Sequence, residues 1–543
     1  MEKRNQAAKL IIGAVVVIIA VMFLAGIISR RDITYKATPL SREDINYDTF
    51  KNVEAPKATG ASGIITANDW ATVSDAYKHI VASKLANNYE DDEDYLVTDE
   101  YLKDLYAQYG FSKDYKAAQG HEFTMQDVMA TERTHLKNPQ KANCLTCKTP
   151  NFTKLVNDKG VSVYKEDFLE MHEKLIKEDA ENVSCYNCHG NTPNVWHKVD
   201  PDKKDSKETN LTVTHSYVTK ALGDDIAKEI DPGVLACGQC HIEYYFDEAT
   251  GETTMPYHSA AEMTPEAIYS YYQQIGFSDW TQLDDDGVGT GVALLKVQHP
   301  EMETFLSGKH AGSLSCADCH MPVVQDPTDF TVYHSHTLVS PLENETLLTS
   351  CLACHSDLGQ TTTGEMVKFV TNIQDRIKAR ESQVGGKLDE FNTALVEATA
   401  AEKEDPGCFD GIYPGLLTEI REIYREAQWF FDFCYVENSE GAHNSDLAAH
   451  CLDTADALAD AGMARLSAAM NLLALNKTIE EAEAKGTVKK DVLDQARSNA
   501  ADALKLLASY YSDKTASSLS TQYLNSANAL IKQAADLFTE KKN

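Results

Sequence analysis

Basic residues are scarce in this 543-residue chain: 50 Lys and Arg stand against 83 Asp and Glu, a formal net charge of -33. Nucleic acid would be repelled by such a surface, which argues against it as a partner. Strand-like alternation is also rare between Tyr101 and His355, so we expect short helices and long loops there instead of sheets. The 43% apolar content nevertheless predicts a globular protein.

Long apolar runs are scarce as well, but one lies near the N-terminus. Leu10 to Ser29 form 20 uncharged residues between Lys9 and Arg30. This length suits a helix that crosses a bilayer and exceeds the apolar stretch usual in a cleaved signal peptide. No small-x-small cleavage site stands out and no cysteine is available for a lipid anchor, although Ala25-Gly26 leaves cleavage open. The run predicts a signal-anchor transmembrane helix within residues 1–31, with a buried core helix as the alternative.

Cysteines are plentiful, and their spacing argues against disulfides as their main use. Ten of the 13 form five CxxC pairs, which are Cys144/Cys147, Cys185/Cys188, Cys237/Cys240, Cys316/Cys319 and Cys351/Cys354. Four pairs are followed directly by a histidine: His189, His241, His320 and His355. In a c-type haem site two thioethers bond the porphyrin and the adjacent histidine binds the iron. Four such motifs predict a multihaem cytochrome c, against zinc or redox-dithiol alternatives, and place the chain beyond Arg31 outside the cytoplasm.

The fifth pair, in "NCLTCKTPNF", is followed by Lys148 instead of histidine. A primary amine binds iron only when it is deprotonated, and metal binding itself favours deprotonation. Beside four haem motifs, this CxxCK segment predicts a fifth haem with lysine as its axial ligand. The alternative is a solvent-facing lysine after a disulfide.

The number of histidines permits several ligand assignments. Haems that only relay electrons usually carry histidine on both faces, so the four CxxCH haems need four more. Thirteen of the 17 histidines lie outside the motifs, and composition alone cannot choose among them.

Several motifs together resemble the pentahaem, ammonia-forming cytochrome c nitrite reductases. The CxxCK site followed by four CxxCH sites is joined by "CGQCHIEYYF" from Cys237, "LKVQHPE" from Leu295, "GKHAGSLSCADCHMP" from Gly308 and "ENSEGAHN" ending at Asn444. The resemblance covers roughly Leu96 to His450. It implies a mainly α fold, a multihaem core of short helices and long loops followed by long C-terminal helices.

The resemblance also implies a distal histidine for each CxxCH haem: His336 for the Cys185 haem, His121 for the Cys237 haem, His443 for the Cys316 haem and His310 for the Cys351 haem. His334 is the alternative to His336. The Lys148 haem receives no second ligand, so its open face is the implied reaction site.

Three residues fall at the family's active-site positions. Arg133 would steady negative charge on the substrate, His299 would hydrogen-bond an oxygen and feed protons, and Tyr244 would hold or protonate a later intermediate. Taken alone, each has an ordinary explanation: a surface salt bridge for Arg133, an aromatic core residue for Tyr244 or its neighbour Tyr245, and a turn cap for His299.

The family places a calcium ion beside this pocket. By resemblance, Glu243 would supply a carboxylate, Gln298 an amide oxygen, and Tyr244 and Lys296 their backbone carbonyls, an all-oxygen set suited to a hard cation. Some relatives carry a basic side chain in place of the ion.

The implied reaction is the reduction of nitrite to ammonium with six electrons and eight protons. Two other functions remain open: an electron conduit whose five haems are all six-coordinate, and a multihaem enzyme that converts hydroxylamine or sulfite. The resemblance also implies a homodimer and a membrane-bound tetrahaem quinol dehydrogenase as a possible electron donor.

The chain divides into four predicted segments: an anchor (1–31), an extended arm (32–60), a pentahaem catalytic region (61–362) and a long-helix region with the dimer interface (363–543). Helical spacing in the last region predicts one helix over Met366 to Ala401, broken at Gly385-Gly386. Apolar residues from Leu416 to Ala427 then repeat at three and four. A further helix is predicted from an N-cap at Ser445 to about Asn476, and a helical stretch from Val488 to Thr539 with a break near Ser512 to Ser520. Cys408, Cys434 and Cys451 are left as buried thiols or as partners in one disulfide.

Overall fold

Helices dominate the computed structural model, which describes residues 40–46, 48–51, 53–86, 93–135, 140–189, 230–486, 488–513 and 518–539. The predicted anchor lies outside the described residues, as does the start of the arm. No helix among the residues described is long and apolar enough to cross a membrane. Residues 43–543 form one compact unit and residues 1–42 the other, and the described α-helices, strands and site residues all belong to the larger unit.

The helices up to residue 362 are short. They are α1 (Asp48–Lys51), α2 (Ala67–Ala71), α3 (Asp75–Leu85), α4 (Tyr95–Thr98), α5 (Leu102–Leu105), α6 (Thr124–Ala130), α7 (Pro150–Lys159), α8 (Phe168–Lys177), α9 (Cys185–His189), α10 (Pro232–Leu235), α11 (Pro265–Ile275), α12 (Glu301–Leu306), α13 (Cys316–His320) and α14 (Glu345–His355). Single 3-10 turns add Arg42–Asp44, Gly110–Ser112, His121–Phe123, Glu132–His135, Ala142–Leu145, Val161–Lys165, Ala260–Glu262, Pro341–Glu343 and Ser356–Leu358.

Strands in the described residues form three small antiparallel pairs. β1 (Tyr245–Phe246) pairs with β2 (Thr253–Thr254), β3 (Trp280–Thr281) with β4 (Ala293–Leu294), and β5 (Val323–Gln325) with β6 (Val332–His334). In the last pair Val323 lies opposite His334 and Gln325 opposite Val332. The predicted mainly α class is therefore confirmed for the residues described.

Five long helices follow: α15 (Thr363–Glu404), α16 (Leu416–Tyr435), α17 (Ser445–Lys485), α18 (Lys490–Ser512) and α19 (Ser518–Thr539). The predicted break between the last two is confirmed. The predicted N-cap at Ser445 is wrong by one residue, because the Asn444 side chain accepts the hydrogen bond from Leu447 N at 3.1 Å. The helix also continues past Asn476 to Lys485, where the left-handed Gly486 ends it.

The predicted break at Gly385-Gly386 is wrong, because α15 runs through both glycines. Gly385 is needed for packing: a Cβ atom there would stand 2.4 Å from the Tyr101 ring. A glycine pair in a helical pattern therefore marks close contact with a neighbour in this case.

The main core lies among the long helices and the segments that pack on them. Its largest fully buried side chains include Phe391, Tyr424 and Trp429. A second, smaller core is formed by α6, α7 and α8 around the segment that carries Cys144, with Phe152 and Phe168 fully buried. Cys434 and Cys451 are buried thiols and Cys408 is half-buried, and none of the 13 cysteines is in a disulfide.

Candidate functional site

The CxxC segments sit on single helical or turn structures. Two of them are the whole of α9 and α13, and α14 ends with a third, each finishing at its histidine. Cys144 lies within the 3-10 turn Ala142–Leu145, and Lys148 N donates to Leu145 O at 3.1 Å just after it. Helical spacing places residues three and four apart on one face, so both thiols and the following ligand point the same way.

The five segments are close neighbours. The thiols of Cys147 and Cys240 lie within hydrogen-bonding range, as do those of Cys237 and Cys316. Cys188 interacts electrostatically with Cys237 and Cys240, and Cys319 does so with Cys351. The segments that begin at Cys144, Cys237, Cys316 and Cys351 are therefore neighbours in that order. The Cys185 segment lies beside the Cys237 segment.

Histidine rings face one another across three of the segments. Ring centroids are 6.0 Å apart for His121 and His241, 6.2 Å for His310 and His355, and 6.3 Å for His320 and His443. Two imidazoles that bind one metal from opposite sides place their ring centroids about 6 Å apart, since each metal–nitrogen bond is about 2 Å long and each centroid lies about 1 Å behind its nitrogen. The ring spacings and the free thiols together fit covalent haem.

Burial keeps several of these histidines neutral, as metal binding requires. It lowers the pKa of His121 to about 3 and that of His320 to about 4. It likewise lowers the pKa of His189 to about 4 and that of His336 to about 3, and His189 contributes to the His336 shift. His336 thus lies within electrostatic range of His189, while His334 Nδ1 bonds the Met321 carbonyl at 2.8 Å.

Several histidines outside the proposed ligand and pocket sets have protein partners. His172 bonds the Met125 carbonyl at 2.9 Å, His135 the Met129 carbonyl at 2.9 Å, and His450 the Glu266 carboxylate at 2.6 Å. His79 contacts Asp326 and Asp329. His197 lies outside the described residues.

The structure brings the predicted pocket residues to the Cys144–Lys148 turn. Arg133 acts electrostatically on Cys144, Tyr244 interacts with Cys144 and Cys147, and His299 lies within electrostatic range of Lys148. The Arg133 guanidinium is held 4.5 Å above the Phe111 ring, a cation–π contact that limits its movement.

Tyr244 and His299 are both suited to hold or deliver protons. Burial, followed by the neighbouring Cys147 thiol, raises the pKa of Tyr244 well above its usual value, so the phenol keeps its proton. Burial lowers the pKa of His299 although Glu301 opposes the shift, so this imidazole is largely neutral. The His299 Nδ1 atom is itself buried and has no hydrogen-bond partner among the described residues.

The predicted calcium ligands also converge. Glu243 Oε1 accepts a hydrogen bond from Tyr272 OH at 2.9 Å, and its Oε2 accepts one from Gln298 N at 2.6 Å. The Gln298 amide lies 2.9 Å from the Lys296 carbonyl, so rotation of the amide would point two oxygens at one cation. The Lys296 side chain turns the other way, to Asp432, with its Nζ 3.1 Å from Oδ2.

Negative groups crowd this buried region. Burial raises the pKa of Glu243 well above its usual range and brings those of Asp279 and Glu303 to about 7. Repulsion from the Glu303 and Asp279 carboxyls raises the pKa of Glu243 further. A bound cation would relieve that repulsion, so the oxygen set fits calcium.

Two residues of this site were not predicted from the sequence. Glu301 lies within 4 Å of both His241 and His299, and these histidines outweigh its burial to hold its pKa well below the usual range. Its place two residues after His299 could have suggested this. Asp432 binds Lys296 and Val297 N across 135 residues or more, and no local pattern signals it.

Comparisons with known proteins show which family the chain belongs to. The family model for cytochrome c552 matches residues 67–522. Cytochrome c nitrite reductase subunit NrfA of Nitratidesulfovibrio vulgaris Hildenborough is 30% identical over 437 residues, 77% of either chain. The solved structure of cytochrome c nitrite reductase from Desulfovibrio desulfuricans ATCC 27774, described for its two calcium sites, is 24% identical with a TM-score of 0.61, over 75% of this chain and 87% of that one. The predicted resemblance is confirmed: this chain belongs to the cytochrome c552 family, alongside the cytochrome c nitrite reductases.

Proposed function

We propose that this protein reduces nitrite to ammonium with six electrons and eight protons, at a c-type haem bound by Cys144, Cys147 and Lys148. The observation that carries the proposal is the convergence of Arg133, Tyr244 and His299 on the Cys144–Lys148 turn. Relatives named as cytochrome c nitrite reductases support the substrate. The four proposed distal histidines serve the CxxCH segments, so the Lys148 haem keeps an open face.

Each pocket residue has a distinct task. Arg133, fixed over Phe111, provides positive charge for an anionic substrate in a chain of strongly negative charge. His299 donates a hydrogen bond to a substrate oxygen, and Tyr244, whose phenol stays protonated, supplies a proton. The haem, when bound, supplies the coordination position for the substrate nitrogen and the entry point for electrons.

The remaining four haems are proposed to carry electrons. Their attachment residues are Cys185, Cys188 and His189; Cys237, Cys240 and His241; Cys316, Cys319 and His320; and Cys351, Cys354 and His355. The distal ligands are His336, His121, His443 and His310 in the same order. Contacts among the thiols support a route from the 351 segment through 316 and 237 to 144, with the 185 segment joining at 237.

A calcium ion is proposed at Glu243, Gln298 and the carbonyls of Tyr244 and Lys296. The buried excess of carboxylates supports it, and so does the short contact between the Gln298 amide and the Lys296 carbonyl. Because Tyr244 and His299 adjoin these ligands in sequence, the cation would fix both side chains relative to the pocket.

The cellular setting belongs to the same proposal. Covalent haem attachment supports an extracytoplasmic location, and the Leu10–Ser29 run supports a membrane anchor. The long helices of residues 363–543 are proposed to form a homodimer interface, and a membrane tetrahaem quinol dehydrogenase is the proposed electron donor. The segment boundaries at residues 31, 60 and 362 stay predictions.

The test uses purified holoprotein, reduced dye, and nitrite, hydroxylamine or sulfite in parallel assays. We expect ammonium from nitrite, five haems by mass spectrometry and a high-spin haem signal in the spectrum. Absence of the high-spin signal would show an electron conduit, and preference for sulfite or hydroxylamine would show the other enzyme class.

Lys148→His tests the lysine itself. We expect a marked fall in nitrite turnover with all five haems still attached, because the pocket iron would then carry a different ligand. Lys154→His, six residues away on α7 and ion-paired with Asp158, is the control and should turn over nitrite normally. Unchanged turnover in Lys148→His would show that the lysine is dispensable.

A further inference from the structure

Glu301 lies between two histidines that have different proposed tasks. It is the first residue of α12, and its side chain is only 8% exposed. Its Oε2 is 3.6 Å from His241 Nδ1, and its Oε1 is 3.8 Å from His299 Nδ1. The two imidazole rings are themselves 5.9 Å apart. One carboxylate therefore faces a proposed haem ligand and a proposed pocket residue at once.

The surroundings hold this carboxylate in place. Asn438 donates to Glu301 Oε1 from its side chain and, at 3.4 Å, from its backbone N–H. The backbone of α12 is tied to His241 as well, because Met302 N donates to the His241 carbonyl at 3.1 Å. The position of Glu301 is thus set from both sides, independently of the two imidazoles.

Both histidine contacts are incomplete. Glu301 Oε2 and His299 Nδ1 are buried without a hydrogen-bond partner among the described residues. Buried polar atoms of this kind are normally satisfied, and distances of 3.6 and 3.8 Å need only a small rotation or one bridging water to become hydrogen bonds. The unsatisfied Glu301 Oε2 lies nearest His241 Nδ1, and the unsatisfied His299 Nδ1 lies nearest Glu301 Oε1, so each missing partner is available within this group of three residues.

We propose that Glu301 is a positioning residue shared by His241 and His299, coupling the ligand of the Cys237 haem to the substrate pocket. By accepting the Nδ1 proton of His241, it leaves Nε2 for iron, on a ring whose other neighbour is His121. A carboxylate on the far nitrogen makes an imidazole a stronger donor to its metal. By accepting the Nδ1 proton of His299, it fixes that ring and favours its doubly protonated form, whose Nε2–H is left to donate to the substrate.

This inference rests on the proposed function for its His299 half only. The His241 half concerns a haem ligand and can be read without nitrite. Because one carboxylate would serve both histidines, a substitution of Glu301 must change both a haem potential and the kinetics with nitrite. Substitution of a residue that acts in the pocket alone would change only the kinetics.

The experiment compares Glu301→Gln, Glu301→Asp and Glu266→Gln with the wild-type holoprotein. Spectroelectrochemical titration and electron paramagnetic resonance report on the haems, and nitrite assays report kcat and KM. Glu266 is the matched control, since its carboxylate bonds His450 at 2.6 Å on an exposed surface. It should leave the haem potentials and the kinetics unchanged.

For Glu301→Gln we expect one low-spin haem to shift to higher potential with an altered signal, because its ligand becomes a weaker donor. We also expect kcat/KM for nitrite to fall roughly tenfold to a hundredfold. Glu301→Asp retains the charge with a shorter reach and should restore the potential in part.

Unchanged haem potentials with reduced activity would overturn the shared role and leave a pocket role only. Loss of a haem in Glu301→Gln, with rescue of the haem content but not of the potential in Glu301→Asp, would mean that Glu301 acts only in folding. If the wild type proves inactive on nitrite, a shift confined to one low-spin haem still supports the His241 half, and the proposed function fails separately.

Discussion

Residues 230–362 and residues 363–539 contribute to the same main core but are built of different elements. The first region is built of helices no longer than 11 residues and of strands of two or three residues, and it carries six of the ten attachment cysteines. The second contains helices of 42, 20, 41, 23 and 22 residues. Short elements cannot supply much of their own stability, whereas long amphipathic helices can.

The side chains reflect this contrast. In the long-helix region Phe391, Tyr424 and Trp429 are completely buried. In the other region most attachment cysteines are only half-buried, and Cys354 is exposed. Residues 230–362 also place fully buried side chains such as Tyr257 and Tyr272 in the main core, and the proposed haems would pack against the attachment thiols in addition. We therefore expect the stability of residues 230–362 to depend on the proposed haems more than that of residues 363–539 does.

The largest expected effect comes from removing the central attachment site, in Cys237→Ser combined with Cys240→Ser. These thiols neighbour Cys147, Cys188 and Cys316, so a lost haem would leave a cavity among three segments. We expect residues 230–362 to lose hydrogen-exchange protection while α15, α16 and α17 keep theirs, measured by mass spectrometry.

The matched control is Cys434→Ala, which removes a buried thiol of the long-helix region and should keep all haems. Equal loss of protection in both regions of the double variant would show that they unfold as one unit. It would contradict the expected difference between their stabilities.

A smaller effect is expected where the two regions are joined. Asp432 on α16 is fully buried and binds Lys296 Nζ, Val297 N and the Tyr106 hydroxyl. Because Asp432→Ala leaves the Lys296 charge buried and unpaired, we expect a loss of about 3–5 kcal/mol in the free energy of unfolding. The loop with His299 would also loosen, so nitrite turnover should fall.

Thermal unfolding of the holoprotein measures the loss, with Asp453→Asn as the control. Asp453 forms an exposed ion pair on α17, and its removal should cost only about 0–1 kcal/mol. A similar small cost for Asp432→Ala would mean that the buried pair does not join the regions.

Within the long helices, Glu381 should make stability depend on pH. Burial, only partly offset by the Cys434 thiol, raises its pKa to about 7. Since the folded-state pKa lies above the unfolded value, the stabilisation is complete below about pH 4 and is lost as the pH rises through 7. We expect Glu381→Gln to be more stable than the wild type at pH 8, by on the order of 3 kcal/mol.

Chemical denaturation between pH 4 and 8 gives the free energy of unfolding of the variant minus that of the wild type. The contributions of the other buried carboxyls cancel in this difference. Glu390→Gln, on an exposed part of the same helix, should give a flat difference. A flat difference for Glu381→Gln as well would place its titration outside this window.

The contrast between the regions also explains what the sequence could predict. The break between α18 and α19 and the helical character after Thr363 followed from apolar spacing, because those helices pack by their own stripes. The attachment sites followed from CxxC spacing, since the chemistry fixes it. Asp432 could not be found this way, because a contact across 135 residues leaves no local pattern. Glu301 is the last residue of the "QHPE" segment, so its closeness to His299 could have been predicted. Its contact with His241 depends on the fold.

The smallest expected effect separates two adjacent glycines of α15 that the sequence pattern could not tell apart. A Cβ atom on Gly385 would stand 2.4 Å from the Tyr101 ring, whereas one on Gly386 would meet nothing within 4 Å. Gly385→Ala should therefore cost roughly 1–3 kcal/mol through overpacking. Gly386→Ala should add up to about 1 kcal/mol, because alanine is the better helix former. Thermal unfolding of the two variants would show opposite signs, and equal signs would mean that Tyr101 moves aside and that helix propensity alone governs the effect of alanine at both positions.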